Sequence, residues 1–213
     1  MKILLAAFEP FGGDKINSAL QAVQSVDIDK IDAKIIKLEM PTVFGRSIEV
    51  ANEVILREKP DIVLATGQAG GRCALTPERV AINVDDARMK DNAGSRPIDR
   101  PIVNEGPAAY FTTLPIKAIV RALQAAGLPA QISNSAGTFV CNHLMYGMMH
   151  TLACELPKSR GGFMHVPFIP DQVVSQKDQP SMSLADITRG IELALNAILD
   201  QEENSVIADS DRA

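Results

Sequence analysis

The sequence predicts an α/β fold, a single-domain α/β/α sandwich whose mostly parallel, twisted sheet is covered by helices on both faces. Three observations lead there. Short apolar runs alternate with longer amphipathic ones, as strands alternating with helices do. The runs "KILLAAF" and "DIVLAT" are apolar on both faces, the mark of strands in a sheet covered on both sides. The chain has 213 residues, 46% hydrophobic and 22% charged, with no stretch resembling a linker. A domain of that size buries roughly 70% of its unfolded surface. One domain is expected over residues 1–200. The remainder, "QEENSVIADSDRA" over 201–213, is read as a polar, frayed tail.

The elements follow in order. The apolar run 2–8 is the first strand and stops at Glu9 and Pro10. No small-residue cleavage site follows it, so it is not read as a signal peptide. An amphipathic stretch over 18–26 predicts a helix, 33–40 a strand, and 43–59 a longer helix. Strand 61–66 runs into "TGQAGGR", and a further strand is expected at 79–84. Residues 85–106 are rich in Asp, Asn, Gly, Pro and Arg and read as a long loop, which in a compact domain is often functional. A helix over 115–126, a short strand at 131–134, a helix over 138–156, a strand at 162–166 and a helix over 183–200 complete the pattern. In open α/β sheets ligands sit beyond the carboxyl ends of the strands. Those ends carry "FEPFGG", "TGQAGGR", "SNSAGTFVCN" and "HVPFIP", so a site is expected there.

The net charge of −5 with no long basic patch speaks against nucleic acid as a partner. No segment approaches the 18 or so uninterrupted apolar residues of a membrane span, so no membrane association is expected. Three unevenly spaced cysteines without a CxxC pair point to a reducing cytoplasm.

Cys141, in "SNSAGTFVCN", raises the functional question. It is a core filler, a metal ligand, or a nucleophile at a helix start. With Thr138 as N-cap, Cys141 lies in the first turn. There the free N–H groups and the positive helix end favour a thiolate and can hold an oxyanion. Cys154 is read as core, and Cys73 as an exposed residue without a partner. A cysteine nucleophile needs a base, and there are three histidines. On a helix, His143 points about 200° away from Cys141, and His150 about 180° away and roughly 13 Å along the axis. His165 closes a strand at the sheet end where the thiol also lies, so elimination favours Cys141 with His165. A closed zinc site needs four local ligands, and "CNH" places its two on opposite helix faces; no metal is expected. A third group should orient the imidazole. Spacing cannot choose it among 26 acidic residues, and Glu78 in "TPERVAIN" is one candidate.

Taken together, "SAGTFVCNHLMY", "GGRCALTPERVAIN", "FEPFGG" with Asn17 soon after, and "HVP" resemble the pyrrolidone-carboxyl peptidases, or pyroglutamyl peptidase I, in the same order from residue 1 to about residue 200. The resemblance implies a cysteine exopeptidase that removes an N-terminal pyroglutamate without any cofactor. It implies a Glu78–Cys141–His165 triad, with Arg88 near the reacting centre. It also implies that Phe8, Phe11, Asn17 and Phe139 line the lactam site. Gln68 is a further amide close by. The lactam ring is flat and mostly apolar with one N–H and one carbonyl, so its pocket needs apolar walls and a few oriented polar groups. The resemblance further implies peptide substrates and a homo-oligomer, dimer or tetramer. Two rivals remain at this level: another thiol amidohydrolase, and a non-enzymatic α/β domain that binds a small molecule.

Overall fold

The computed structural model describes residues 1–210, the last ten as backbone alone. The expected tail, 201–213, therefore lies outside the residues described in full. The chain begins with β1 (Lys2–Phe8), α1 (Ser18–Ser25), a 3₁₀ turn (Ile28–Lys30), β2 (Lys34–Met40), α2 (Arg46–Glu58) and β3 (Ile62–Gln68). It continues through β4 (Thr76–Pro77), β5 (Val80–Ile82), β6 (Ala109–Phe111), α3 (Ile116–Ala125) and α4 (Val140–Glu155). It ends with β7 (Arg160–Val166), α5 (Pro170–Val173) and α6 (Leu184–Ser210).

Five strands form one sheet in the order β2-β1-β3-β7-β4. The first four are parallel, and β4 is antiparallel to β7. The period of two along each strand sorts side chains to the two faces. On one face Ile3, Leu5, Ala7, Ile62, Leu64, Met164 and Val166 join residues of α1, α3 and α6. On the other Leu4, Ala6, Phe8, Val63, Ala65 and Phe163 join α2 and α4. Both clusters are buried, and each fully buried Leu, Ile or Phe contributes about 1.5–3 kcal/mol. The sheet is thus an α/β/α sandwich, as expected. Lys34, Lys37 and Glu39 mark β2 as an edge strand, where charge discourages further pairing. Pro77 is tolerated in β4 because that strand is the opposite edge.

Several expectations need correction. The strand expected at 79–84 is the shorter β5, and it pairs with β6 in a separate ribbon. It leaves the main sheet because Asn142 of α4 claims its backbone: Asn142 accepts from Ile82 N–H at 2.9 Å and donates to the Ile82 and Val84 carbonyls. No strand forms at 131–134. That segment runs alongside 75–79 through two isolated bridges, Leu75 with Ala130 and Glu78 with Ser133. Pro77 and Pro129 lack the N–H groups that a full ladder would need. The helix around Cys141 starts at Val140, with Phe139 and not Thr138 as its N-cap. Thr138 instead donates its hydroxyl to the Asp86 carbonyl at 2.7 Å. Residues 85–106 form no strand or helix, as expected.

Candidate active site

Three elements converge beyond the carboxyl ends of the strands. β7 carries His165, the chain after β4 carries Glu78, and α4 carries Cys141 in its first turn. α4 is apolar nearly all round, with most of its residues from Val140 to Leu152 buried. A helix of that character belongs inside the molecule, so its start is driven down against the sheet. Gly67 makes room for it. A Cβ there would stand 3.1 Å from the Cys141 sulfur and 2.8 Å from Phe163. Gly67 also lies opposite His165 in the β3–β7 register, so thiol and imidazole are neighbours across a glycine.

His165 is 4% exposed and Glu78 is fully buried. The ring Nδ1 lies 2.6 Å from Glu78 Oε1. Donation from Nδ1–H to the carboxylate leaves Nε2 as the free, basic nitrogen. Glu78 is held by its backbone as well: its N–H donates to the Phe163 carbonyl at 2.8 Å, and Ser133 bridges it from the other side. Arg72 donates from Nη1 to the same Glu78 Oε1 at 2.7 Å.

Burial pushes the Glu78 carboxyl up. The hydrogen bond and charge of His165 outweigh it, aided by Ser133 and Arg72, and hold the group below the usual value. Burial, joined by the charge of Arg72, lowers the His165 pKa more than the bond and charge of Glu78 raise it, which favours a neutral resting imidazole. The support that Glu78 draws from a charged His165 therefore applies once the ring has gained a proton. At Cys141 the expectation of a resting thiolate is corrected. One side of the residue meets the cavity, but burial, followed by the Glu78 charge, pushes the thiol up to about 12. Arg72 and the residue's own N–H pull the other way. Desolvation is the largest of these effects. The resting pair is a neutral thiol beside a neutral base. In a variant whose Cys73 and Cys154 are replaced by Ser, thiolate absorbance should stay absent through pH 8. A thiolate titrating near pH 7 would contradict this.

A cavity of about 590 Å³ opens onto the thiol, bordered by Phe11, Gln68, Arg72, Asp86, Arg88, Phe139, Cys141 and His165 among others. Phe139 packs at 6.1 Å from Phe11 and edge-on at 5.4 Å from Phe44, so one wall is aromatic. No side chain caps α4, which leaves the first-turn N–H groups for an oxyanion. The exposed Arg88 borders the same cavity.

Of the residues singled out by sequence, Glu78 and His165 are bonded, and Cys141, Phe11, Gln68, Phe139 and Arg88 share the cavity with His165. Phe8 and Asn17 are not brought to it. Phe8 is 2% exposed and packs on Phe163 in the core. Asn17 caps α1, accepting from Ala19 and Leu20 N–H, and donates to the Glu9 carbonyl. Gln68 is anchored: its side-chain oxygen accepts from Ser18 N–H at 2.9 Å and from Gln172 at 2.6 Å. His143 turns from the thiol to Asp85 at 2.8 Å and accepts from Gly45 N–H at 2.8 Å. His150 meets the Tyr110 hydroxyl at 2.9 Å. Cys154, expected in the core, is exposed, since the last turn of α4 projects beyond the packed part of the helix. Sequence reasoning missed Arg72 and Phe44. Their only signal was proximity to the strand-end loops.

A family model described as "Pyroglutamyl peptidase" matches residues 1–201. The pyrrolidone-carboxylate peptidase of Clostridium botulinum is 54% identical over 200 residues, 94% of each chain. Pyrrolidone-carboxylate peptidase 1 of Streptococcus pneumoniae is 54% identical over 206 residues, 97% of this chain and 96% of that one. Pyroglutamyl peptidase I of Bacillus amyloliquefaciens superposes with a TM-score of 0.89 at 46% identity, covering 92% of this chain and 96% of that one. A variant of the pyrrolidone carboxyl peptidase of the hyperthermophile Pyrococcus furiosus gives 0.91 at 41% identity, over 94% of this chain and 99% of that one.

Proposed function

The chain belongs to the pyroglutamyl peptidase family, and from that premise we propose how its own residues remove an N-terminal pyroglutamyl residue from peptides. The chain is a hydrolase, a pyroglutamyl-peptidase. The observation that carries the mechanism is the bonded pair His165–Glu78, with His165 bordering the same cavity as the Cys141 thiol.

Cys141 attacks the pyroglutamyl carbonyl as His165 Nε2 takes its proton, so thiolate forms only as the new C–S bond does. The imidazolium that results is what Glu78 stabilises. The first-turn N–H groups of α4 receive the oxyanion, with Arg88 close enough to the same cavity to share that charge. His165 then hands its proton to the departing amine. A water deprotonated by His165 hydrolyses the thioester and returns the thiol. The lactam rests against Phe11 and Phe139. No cofactor enters any of these steps.

The peptidase unit is 1–200. We place it in the cytoplasm, because the reaction requires Cys141 to stay a reduced thiol, and as a homo-oligomer, to be checked by light scattering. The test of the main reading is product analysis. Reduced enzyme should release free pyroglutamate from the N-terminus of a peptide and leave the next peptide bond intact. Full alkylation of Cys141 should stop that release. Release from glutamine amides, or ring binding without turnover, would favour the rival readings.

A further inference from the structure

We propose that Arg72 is a positioning residue of the reaction, holding the Glu78 carboxylate charged and aimed at His165. The proposal rests on the triad above and goes beyond it.

The geometry is a closed ring of four residues. Arg72 Nη1 donates to Glu78 Oε1 at 2.7 Å and to the Thr76 hydroxyl at 2.5 Å. Thr76 lies opposite His165 in the β4–β7 register, and its hydroxyl reaches the His165 carbonyl at 3.4 Å. His165 Nδ1 closes the ring on the same Glu78 oxygen at 2.6 Å. Arg72 therefore touches the strand that carries the base and the carboxylate that orients it.

The need for a cation is visible at Glu78. Its side chain is fully buried, and apart from the support of Ser133 its Oε2 finds no hydrogen-bond partner among the described residues. Among the described residues its ion pairs are to Arg72 and to His165, and the resting His165 is neutral. Arg72 is thus the resident positive charge. A buried carboxylate without one takes up a proton. Protonated Glu78 could no longer stabilise an imidazolium or hold Nδ1–H in place. Arg72 is suited to the task because its side chain is 30% exposed, so the guanidinium keeps part of its hydration while its Nη1 serves two acceptors. Its backbone is set by the turn at Gly71, φ +82°, closed by Arg72 N–H to the Ala69 carbonyl. An ordinary surface ion pair would contribute little and would leave catalysis untouched.

The experiment compares Arg72→Gln, Arg72→Lys, Glu78→Gln and the Arg72→Gln/Glu78→Gln double variant, by kcat and KM on a pyroglutamyl amide across pH. Arg72→Gln should lower kcat roughly a hundredfold, as a misplaced catalytic group does, with KM within about twofold. Arg72 also opposes protonation of His165, so its loss should move the acidic limb of kcat/KM to higher pH. Arg72→Lys should restore part of kcat. In the Glu78→Gln background the same Arg72→Gln change should cost less than about threefold more, because coupled residues are not additive. An Arg72→Gln enzyme with wild-type kcat and pH profile overturns the proposal, as does an equal loss in both backgrounds. If Arg72→Gln folds only together with Glu78→Gln, that double variant decides by the same threefold criterion. Wild-type kcat in Glu78→Gln alone would overturn the triad itself, a failure separable from that of Arg72.

Discussion

Cys141→Ser should lower kcat by about 10⁴- to 10⁶-fold, as removal of a nucleophile does elsewhere, while the protein unfolds at close to its wild-type temperature. The structure supplies both halves of the argument. The sulfur sits against Gly67, and an oxygen in its place is smaller and creates no clash. Burial already pushes the thiol up to about 12, and an alcohol in the same surroundings holds its proton more firmly still. A neutral imidazole able to take a proton from the thiol cannot take it from the hydroxyl at a comparable rate. Cys73→Ser and Cys154→Ser are the controls. Both thiols are exposed and neither borders the cavity, so each variant should keep most of its turnover. The measurement is kcat on a fluorogenic pyroglutamyl amide, per folded molecule by circular dichroism. Turnover by Cys141→Ser within tenfold of wild type would remove Cys141 from the mechanism.

The second large effect concerns the substrate. kcat/KM for a pyroglutamyl amide should exceed that for the prolyl amide of the same amine by roughly 10⁴-fold, the scale at which a polar site rejects an analogue that leaves its groups unpaired. The two rings have similar shape. The prolyl ring lacks the lactam carbonyl and carries a charged nitrogen at neutral pH. In the cavity at the thiol it would meet Phe11 and Phe139, and a charged lining of Arg72 and Arg88 against the single Asp86. That balance of charge repels an ammonium and tolerates a neutral lactam. A glutaminyl amide, uncyclised and charged, should be rejected to a similar degree. Comparable values for the pyroglutamyl and prolyl compounds would reject the lactam pocket while leaving the nucleophile in place.

The layering of this protein could be read from sequence because it is local and periodic. Apolar residues on both faces of 2–8 and 61–66 demand cover on both sides, and the two core clusters meet that demand. The pairing of Cys141 with His165 also rested on something local, the 3.6-residue turn that directs His143 and His150 elsewhere. Both are engaged elsewhere in the fold, with Asp85 and Tyr110. Glu78 was chosen by family motif alone, since nothing in spacing separates it from other carboxylates. What only the tertiary structure decided depends on pairs remote in sequence. β4 is two residues long and exists through its pairing with β7. β5 leaves the sheet because Asn142, 60 residues away, takes its backbone. Even the bond from Arg72 to Glu78, only six positions apart, closes across a segment whose course no periodicity reports. The protonation of Cys141 belongs in the same class. Its place in the first turn of a helix argued for a thiolate, and the charge state turned on what the fold packs around the sulfur. Sequence specifies the helix terminus and its dipole, but desolvation is a property of the assembled neighbours, and it is the largest of the causes that push this thiol up.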